Sequence, residues 1–145
     1  MQISEHFSLE ELTASEVASR HGLNNVPNDP LVLANLKILA ENLEKVRTLL
    51  GHPIHINSAY RSPAVNALVG SRPTSYHIKG LAADIVCPSF GTPRDIVNAI
   101  IKSDIRYDQI IWEYNNWCHI GFASAGMVPR KQQLTINASG TSEYK

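Results

Sequence analysis

The segment 29–50 constrains the fold more than any other, since it predicts one long helix with a single apolar face. Asp29 suits the helix N-cap and Pro30 the first helical position, while Gly51 and Pro53 predict the end of the helix. Apolar residues recur at steps of three and four, as an amphipathic helix requires: Val32, Leu36, Leu39, Leu43, Val46 and Leu50. Such a helix must bury this face against another layer of structure.

That layer is predicted to be a β-sheet. Strand patterns occupy residues 54–60 and 81–87, and residues 109–114 and 118–123 predict a hairpin around Asn115-Asn116. The hairpin connection is too short for a parallel crossover. Shorter helices are predicted at residues 8–12, 15–21, 62–68 and 92–102. The chain is therefore expected to form a single α+β domain with a mostly antiparallel sheet and helices packed on one side.

This domain is expected to span residues 1–126, with its motif-bearing part at residues 54–123. Residues 70–76 are expected to form a loop. Residues 127–145 are polar and predict a largely irregular tail, with at most one edge strand at residues 134–136.

The composition argues against several classes of protein. The 145 residues include 13 basic and 13 acidic side chains, so neither nucleic acid nor an anionic membrane is an expected partner. The N-terminus lacks the basic and apolar segments of a signal peptide, so synthesis in a cytoplasm is expected, with a monomer as the default state. Cys87 and Cys118 are too few for a disulfide scaffold and are expected to be reduced and buried.

The strongest chemical signal is Asp84, a single carboxylate inside an apolar strand. An ionised carboxylate is costly to bury unless a cation or metal pairs with it. His77 precedes it across Gly80, which allows the chain to turn so that both side chains meet. His119 lies in the last predicted strand, where alternation places it opposite the apolar Ile120.

Two imidazoles and one carboxylate form the ligand set of a catalytic zinc site, which leaves the fourth position to water. A structural zinc site would favour four ligands with cysteine, but Cys118 neighbours His119 on a strand and points to the other face. The spacing of His77, Asp84 and His119 is also compatible with ordinary surface or core residues, so the residues alone leave both interpretations open.

Three motifs together resemble a known family. Ser75–Asp84 is similar to the Ser-x-His-x-x-Gly-x-Ala-x-Asp motif of zinc D-alanyl-D-alanine peptidases, and Trp117–His119 to their Trp-x-His motif. Ser58–Ser62 is similar to the Ser-x-Tyr-Arg-Ser segment that precedes the first ligand. The stretch Phe7–Leu12 resembles the small-phage and prophage branch of the family. The hedgehog signalling domain and lysostaphin-type peptidases share this metal-site architecture, so relatives include both active and inactive proteins.

The resemblance implies a role for each matched residue. His77, Asp84 and His119 would hold one zinc ion per chain. Glu113 would act as general base and Arg61 would stabilise the developing oxyanion. The substrate-binding candidates are Ser75, Tyr76 and Trp117. A two-residue loop would turn Glu113 away from His119. Glu113 therefore meets this role if the hairpin loop has an odd length, for example residues 115–117, or if Glu113 has already left the strand ladder.

The family's substrates are peptidoglycan stem peptides. The resemblance therefore implies a D-Ala-D-Ala carboxypeptidase or an L,D- or D,D-endopeptidase, produced without a signal peptide and acting on the cell wall after release, as a phage or prophage endolysin does. Three alternatives stay open: a non-catalytic zinc-binding interaction module, a virion-associated wall-degrading component, and a cysteine hydrolase that uses Cys118.

Overall fold

The computed structural model describes residues 1–145 as six helices and six strands. The helices are α1 (Leu9–Thr13), α2 (Glu16–Arg20), α3 (Pro30–Leu50), α4 (Pro63–Leu68), α5 (Tyr76–Lys79) and α6 (Pro93–Lys102). The strands are β1 (His55–Ser58), β2 (Ala82–Val86), β3 (Gln109–Glu113), β4 (Trp117–Gly121), β5 (Gln132–Asn137) and β6 (Gly140–Glu143).

The strands form one sheet in the order β1-β2-β4-β3-β5-β6. Every neighbouring pair is antiparallel except β3 and β5, which are parallel. This arrangement confirms the predicted α+β fold with a mostly antiparallel sheet. None of the helices combines the length and apolar character needed to cross a membrane.

The predicted long helix is α3, with the predicted ends. The Asp29 side chain accepts a hydrogen bond from the backbone of Leu31, and Gly51 closes the helix in the left-handed conformation (φ 71°). The apolar face of α3 joins α6 and the inward side of the sheet in one core of 23 buried residues. The two helices cover one face of the sheet and leave the metal-ligand residues on the other.

One helix was not expected. Residues 70–76 were predicted as a loop, but α5 begins at Tyr76 and carries His77 within its four residues. Such a short helix shows no apolar periodicity, and its flanking residues Ser75 and Gly80 resemble turn chemistry in a sequence. In the structure they cap the helix at its two ends.

The prediction of a largely irregular tail is wrong. β5 pairs with β3 over its whole length, from Gln109↔Gln132 to Glu113↔Ile136, and β6 pairs back onto β5. The tail lacks a strand pattern because β6 is an edge strand whose four residues are all exposed. Its side chains therefore need not alternate between apolar and polar. β5 pairs with the free edge of β3, and nothing in the sequence of the tail indicates this partner.

Candidate metal centre and active site

The three predicted ligands come together in the fold. Asp84 on β2 and His119 on β4 are directly paired across the sheet, and α5 places His77 beside them. All three are buried, and one ligand atom from each lies within 4.8 Å of the others. This is the grouping of histidine and carboxylate side chains that the sequence predicted.

Local structure fixes His77 from both ends of α5. The Ser75 hydroxyl accepts a hydrogen bond from the His77 backbone at 3.2 Å, and Gly80 ends the helix with φ 76°. A Cβ on Gly80 would lie 3.1 Å from Leu36 Cγ and 3.2 Å from the Val32 carbonyl oxygen. Glycine is therefore required here by both backbone conformation and close packing on α3.

The hydrogen bonds of His77 fix its tautomer. Its Nδ1 lies 2.6 Å from the carbonyl oxygen of Ala59, which only accepts, so Nδ1 carries the ring proton. Burial lowers the pKa of His77 and favours the neutral ring. The Nε2 lone pair then faces Oδ2 of Asp84 at 3.4 Å. Two electron-pair donors that face each other in a buried site can share a cation, which is either a proton or a metal ion.

His119 completes the same arrangement from the opposite side. Its Nδ1 lies 3.0 Å from Oδ1 of Asp84, and its ring stands edge-on to that of His77, with centroids 5.1 Å apart. Burial opposes ionisation of Asp84, but the two histidines outweigh it and hold the pKa of this carboxyl well below its usual range. The two nitrogens and the carboxylate fit the three-ligand set of catalytic zinc.

Cys118 takes no part in this site. It belongs to the apolar core on the opposite face of β4, as strand alternation predicted, and burial raises the pKa of its thiol far above the ordinary value. A thiol held protonated in the core is neither a metal ligand nor a nucleophile. Cys87 is also buried and free, and nothing supports the cysteine-hydrolase alternative.

The hairpin loop has the odd length that the catalytic interpretation of Glu113 needs. Glu113 pairs with Trp117, and Ile111 pairs with His119, so the loop comprises the three residues 114–116. Glu113 therefore lies on the metal-ligand face. The predicted boundaries of the loop, residues 115–117, are wrong by one position, because Tyr114 and Asn115 adopt left-handed conformations (φ 52° and 53°).

The Glu113 carboxylate is electrostatically unusual. Burial and the nearby charge of Asp84 raise its pKa, while His119, Trp117 and Arg61 act in the opposite direction. The indole Nε1 of Trp117 lies near this carboxylate but outside hydrogen-bond geometry, and it is the only buried side-chain nitrogen or oxygen without a partner. An unpaired buried donor is uncommon in a folded protein.

Arg61 supplies the positive charge of the site. Its backbone N–H donates to the His77 carbonyl oxygen at 3.1 Å, which ties it to α5. Burial lowers its pKa, whereas the charges of Asp84 and Glu113 act in the opposite direction. No carboxylate forms an ion pair with it, so the guanidinium remains available to an external anion.

The three predicted substrate-binding residues have different surroundings. Ser75 caps α5 through its hydroxyl, which favours a role in orienting His77. Tyr76 packs closely against Gly121 of β4, since a Cβ on Gly121 would lie 3.3 Å from Tyr76 Cδ2. Trp117 is partly buried on the same face as Glu113.

The structure adds one residue that the sequence analysis missed. Asn66 is 2 % exposed and accepts a hydrogen bond from Arg61 Nε at 3.2 Å. A lone asparagine in a short helix carries no sequence signal for such a role. A surface depression beside Lys45 and Arg106 lies elsewhere and includes none of the metal-ligand residues.

Comparison with known families places this site in context. The family model described as Peptidase M15 matches residues 5–121, which include every metal-ligand candidate and the hairpin. The chain belongs to the peptidase M15 family, whose members are zinc-dependent peptidases of the D-Ala-D-Ala carboxypeptidase type. A comparison with curated proteins found no match. The strands β5 and β6 lie outside the matched residues.

Proposed function

We propose that this protein is a zinc-dependent peptidase that hydrolyses peptide bonds in peptidoglycan stem peptides. The observation that carries the proposal is the buried group of His77, Asp84 and His119, whose ligand atoms all lie within 4.8 Å of one another. The family match supports peptidase chemistry at this place. The bond cut is either the D-Ala-D-Ala bond, as in a carboxypeptidase, or an inner L,D- or D,D-bond, as in an endopeptidase.

One zinc ion per chain would be held by Nε2 of His77, Nδ1 of His119 and the carboxylate of Asp84. The hydrogen bond from His77 Nδ1 to Ala59 keeps that ring oriented, as outer hydrogen bonds do in other metal sites. Bound zinc supplies Lewis-acid polarisation of a carbonyl and lowers the pKa of a water molecule to about 7.

Glu113 acts as the general base in this proposal. Its carboxylate takes a proton from the attacking water and delivers it to the leaving amine when the peptide bond breaks. A positioned acid or base of this kind contributes ~10²–10⁴ in rate. Its raised pKa suits the role, because a base with a pKa closer to the working pH also returns the proton more readily.

Arg61 stabilises the carbonyl oxygen as it becomes negative. A positioned donor or cation acts most strongly where water is excluded and no competing anion holds it. Arg61 meets both conditions, since it is partly buried and has no ion-pair partner. Tyr76 and Trp117 flank the ligands and are proposed to contact the substrate peptide.

The biological setting is the lysis of a bacterial wall by a phage or prophage. The support is the resemblance of Phe7–Leu12 to the small-phage and prophage branch of the family. In this setting the protein acts on the wall as a monomer. A virion-associated role uses the same chemistry and is distinguished by finding the chain in purified virions.

Mass spectrometry of purified peptidoglycan tests the proposal. Wild-type protein is expected to release products with one new type of terminus, whereas Glu113→Ala and chelator-treated protein release none. One equivalent of bound zinc without cleavage of several wall types would instead favour the interaction module. The presence of both Glu113 and Arg61 beside the ligands argues against that alternative, because a module that cuts no bond needs neither.

A further inference from the structure

The Arg61 guanidinium is oriented by hydrogen bonds and not by an ion pair. Its Nε donates to Asn66 Oδ1 at 3.2 Å, and Nη2 lies at the limit of hydrogen bonding, 3.5 Å from the Ser71 hydroxyl. Nη1 has no hydrogen-bond partner in the protein. Because the guanidinium is planar, holding Nε sets the direction in which Nη1 points.

Asn66 is fully engaged in this contact. Its side-chain Nδ2 donates to the carbonyl oxygens of Ser71 at 3.4 Å and Arg72 at 2.9 Å, and its Oδ1 accepts from Arg61. The donor and the acceptor of this buried amide are therefore both paired, which fixes the amide in a single orientation. An apolar side chain at this position would remove these three hydrogen bonds and leave Nε of Arg61 without a partner.

A second buried asparagine fixes the backbone around Arg61. Asn25 Nδ2 donates to the Tyr60 carbonyl oxygen at 3.0 Å, and Asn25 Oδ1 accepts from the Ser62 N–H at 2.8 Å. These two groups flank Arg61 in the chain. With its backbone held in this way, the remaining freedom of Arg61 is rotation of its side chain, and Asn66 is the group that limits it.

We propose that Asn66 is a positioning residue of the reaction, which directs the free edge of the Arg61 guanidinium at the carbonyl oxygen of the scissile bond. The same amide joins Arg61 to the segment 71–72, which leads to Ser75 and α5. This inference rests on the proposed function, because it assigns Asn66 to the step in which Arg61 stabilises negative charge.

A double-mutant cycle tests the coupling. Asn66→Ala is expected to lower kcat about 10- to 100-fold, since small misplacements of a catalytic group have effects of this size, with little change in KM. In an Arg61→Ala background, Asn66→Ala should cost no further activity, because its effect passes through Arg61. If the double variant loses kcat by the product of the two single-variant factors, the proposal is overturned.

Two further variants separate positioning from stability. Asn42→Ala is the matched control, since Asn42 is also a helical asparagine that donates to a backbone carbonyl, that of Ile38, and it should keep wild-type activity. Asn66→Asp retains the oxygen that accepts from Arg61 but adds a negative charge that competes for the guanidinium, so it should keep the Arg61 Nε–H protected from exchange with water without restoring kcat. Exchange of this N–H as rapid as in Asn66→Ala would overturn the proposal.

Nuclear magnetic resonance of the Arg61 Nε–H provides a readout independent of cleavage. The resonance should exchange slowly with water in the wild type and rapidly in Asn66→Ala, while thermal unfolding stays cooperative. Protection that persists without Asn66 overturns the inference. If wild-type protein cuts no wall and the protection still depends on Asn66, the proposed function fails while the Asn66–Arg61 coupling stands.

Discussion

The two faces of the sheet use the same strands for opposite purposes. On the face covered by α3 and α6, β4 places Cys118 and Ile120 in a core from which water is excluded. On the other face, the alternate residues Trp117 and His119 surround the candidate metal centre. Adjacent positions therefore differ completely in chemistry, with a thiol kept protonated on one side and an imidazole aimed at a carboxylate on the other.

The comparison shows how the fold separates stability from function. Apolar burial on the covered face stabilises the chain without directional bonds. The open face is held by directional contacts, such as His77 to Ala59 and Arg130 to Asp108. Substitutions on the open face should therefore change binding and catalysis first, and substitutions on the covered face should change stability first.

The largest expected effect is loss of the metal. His119→Ala removes one of three ligands, so zinc bound after dialysis should fall from one equivalent to none, and wall hydrolysis should stop. His55→Ala is the control, because His55 is exposed on β1 and has no place in the centre. One retained equivalent of zinc in His119→Ala would remove this residue from the ligand set.

Glu113→Gln should separate catalysis from metal binding. The amide keeps the size of the side chain but does not accept the proton, so kcat should fall by ~10²–10⁴. Zinc content and melting temperature should match those of the wild type. Product release from peptidoglycan, measured by mass spectrometry, provides the rate, and an undiminished rate would exclude Glu113 as the base.

Ile120→Ala tests the covered face of the same strand. Ile120 is fully buried, so its truncation should reduce the free energy of unfolding by about 2–5 kcal/mol. Urea titration measures this loss. At temperatures where the variant stays folded, zinc binding should be intact. Loss of zinc without loss of stability would contradict the division between the two faces.

Asp108→Asn should reveal the pH dependence of the open face. Burial opposes ionisation of Asp108, but hydrogen bonds from Arg130 outweigh it and lower its pKa. The stabilisation is present above the unfolded pKa of about 3.9 and is lost as pH falls through the lower folded pKa. At pH 7 the variant should lose about 1–2 kcal/mol, a reduced value because Arg130 is half exposed.

Urea titrations at several pH values check this smallest effect. The difference between wild type and Asp108→Asn should shrink as the pH approaches the folded pKa of Asp108. If the difference in the free energy of unfolding stays constant across the acid range, the contact with Arg130 stabilises the fold through packing and not through the charge of Asp108.

Much of the site was predictable because alternation and motif spacing are local. Strand alternation alone places His119 and Cys118 on opposite faces of β4. The short segment from His77 to Asp84 makes one turn, which brings these two ligands together. The odd loop length was predicted from the role of Glu113, but its boundaries were not. Two neighbouring left-handed residues, Tyr114 and Asn115, move the loop by one position, so that Glu113 pairs with Trp117 instead of His119, and non-glycine residues rarely signal that conformation.

Local sequence patterns predicted the long helix α3, the polar and apolar faces of the strands, the three metal-ligand candidates and the family. The helix α5, the pairing of β5 with β3 and the contact between Asn66 and Arg61 became known only from the folded chain. The physical reason is the origin of the hydrogen bonds. Local periodicity fixes which side of an element is apolar, whereas partners from distant parts of the chain decide which polar groups are satisfied and where they point.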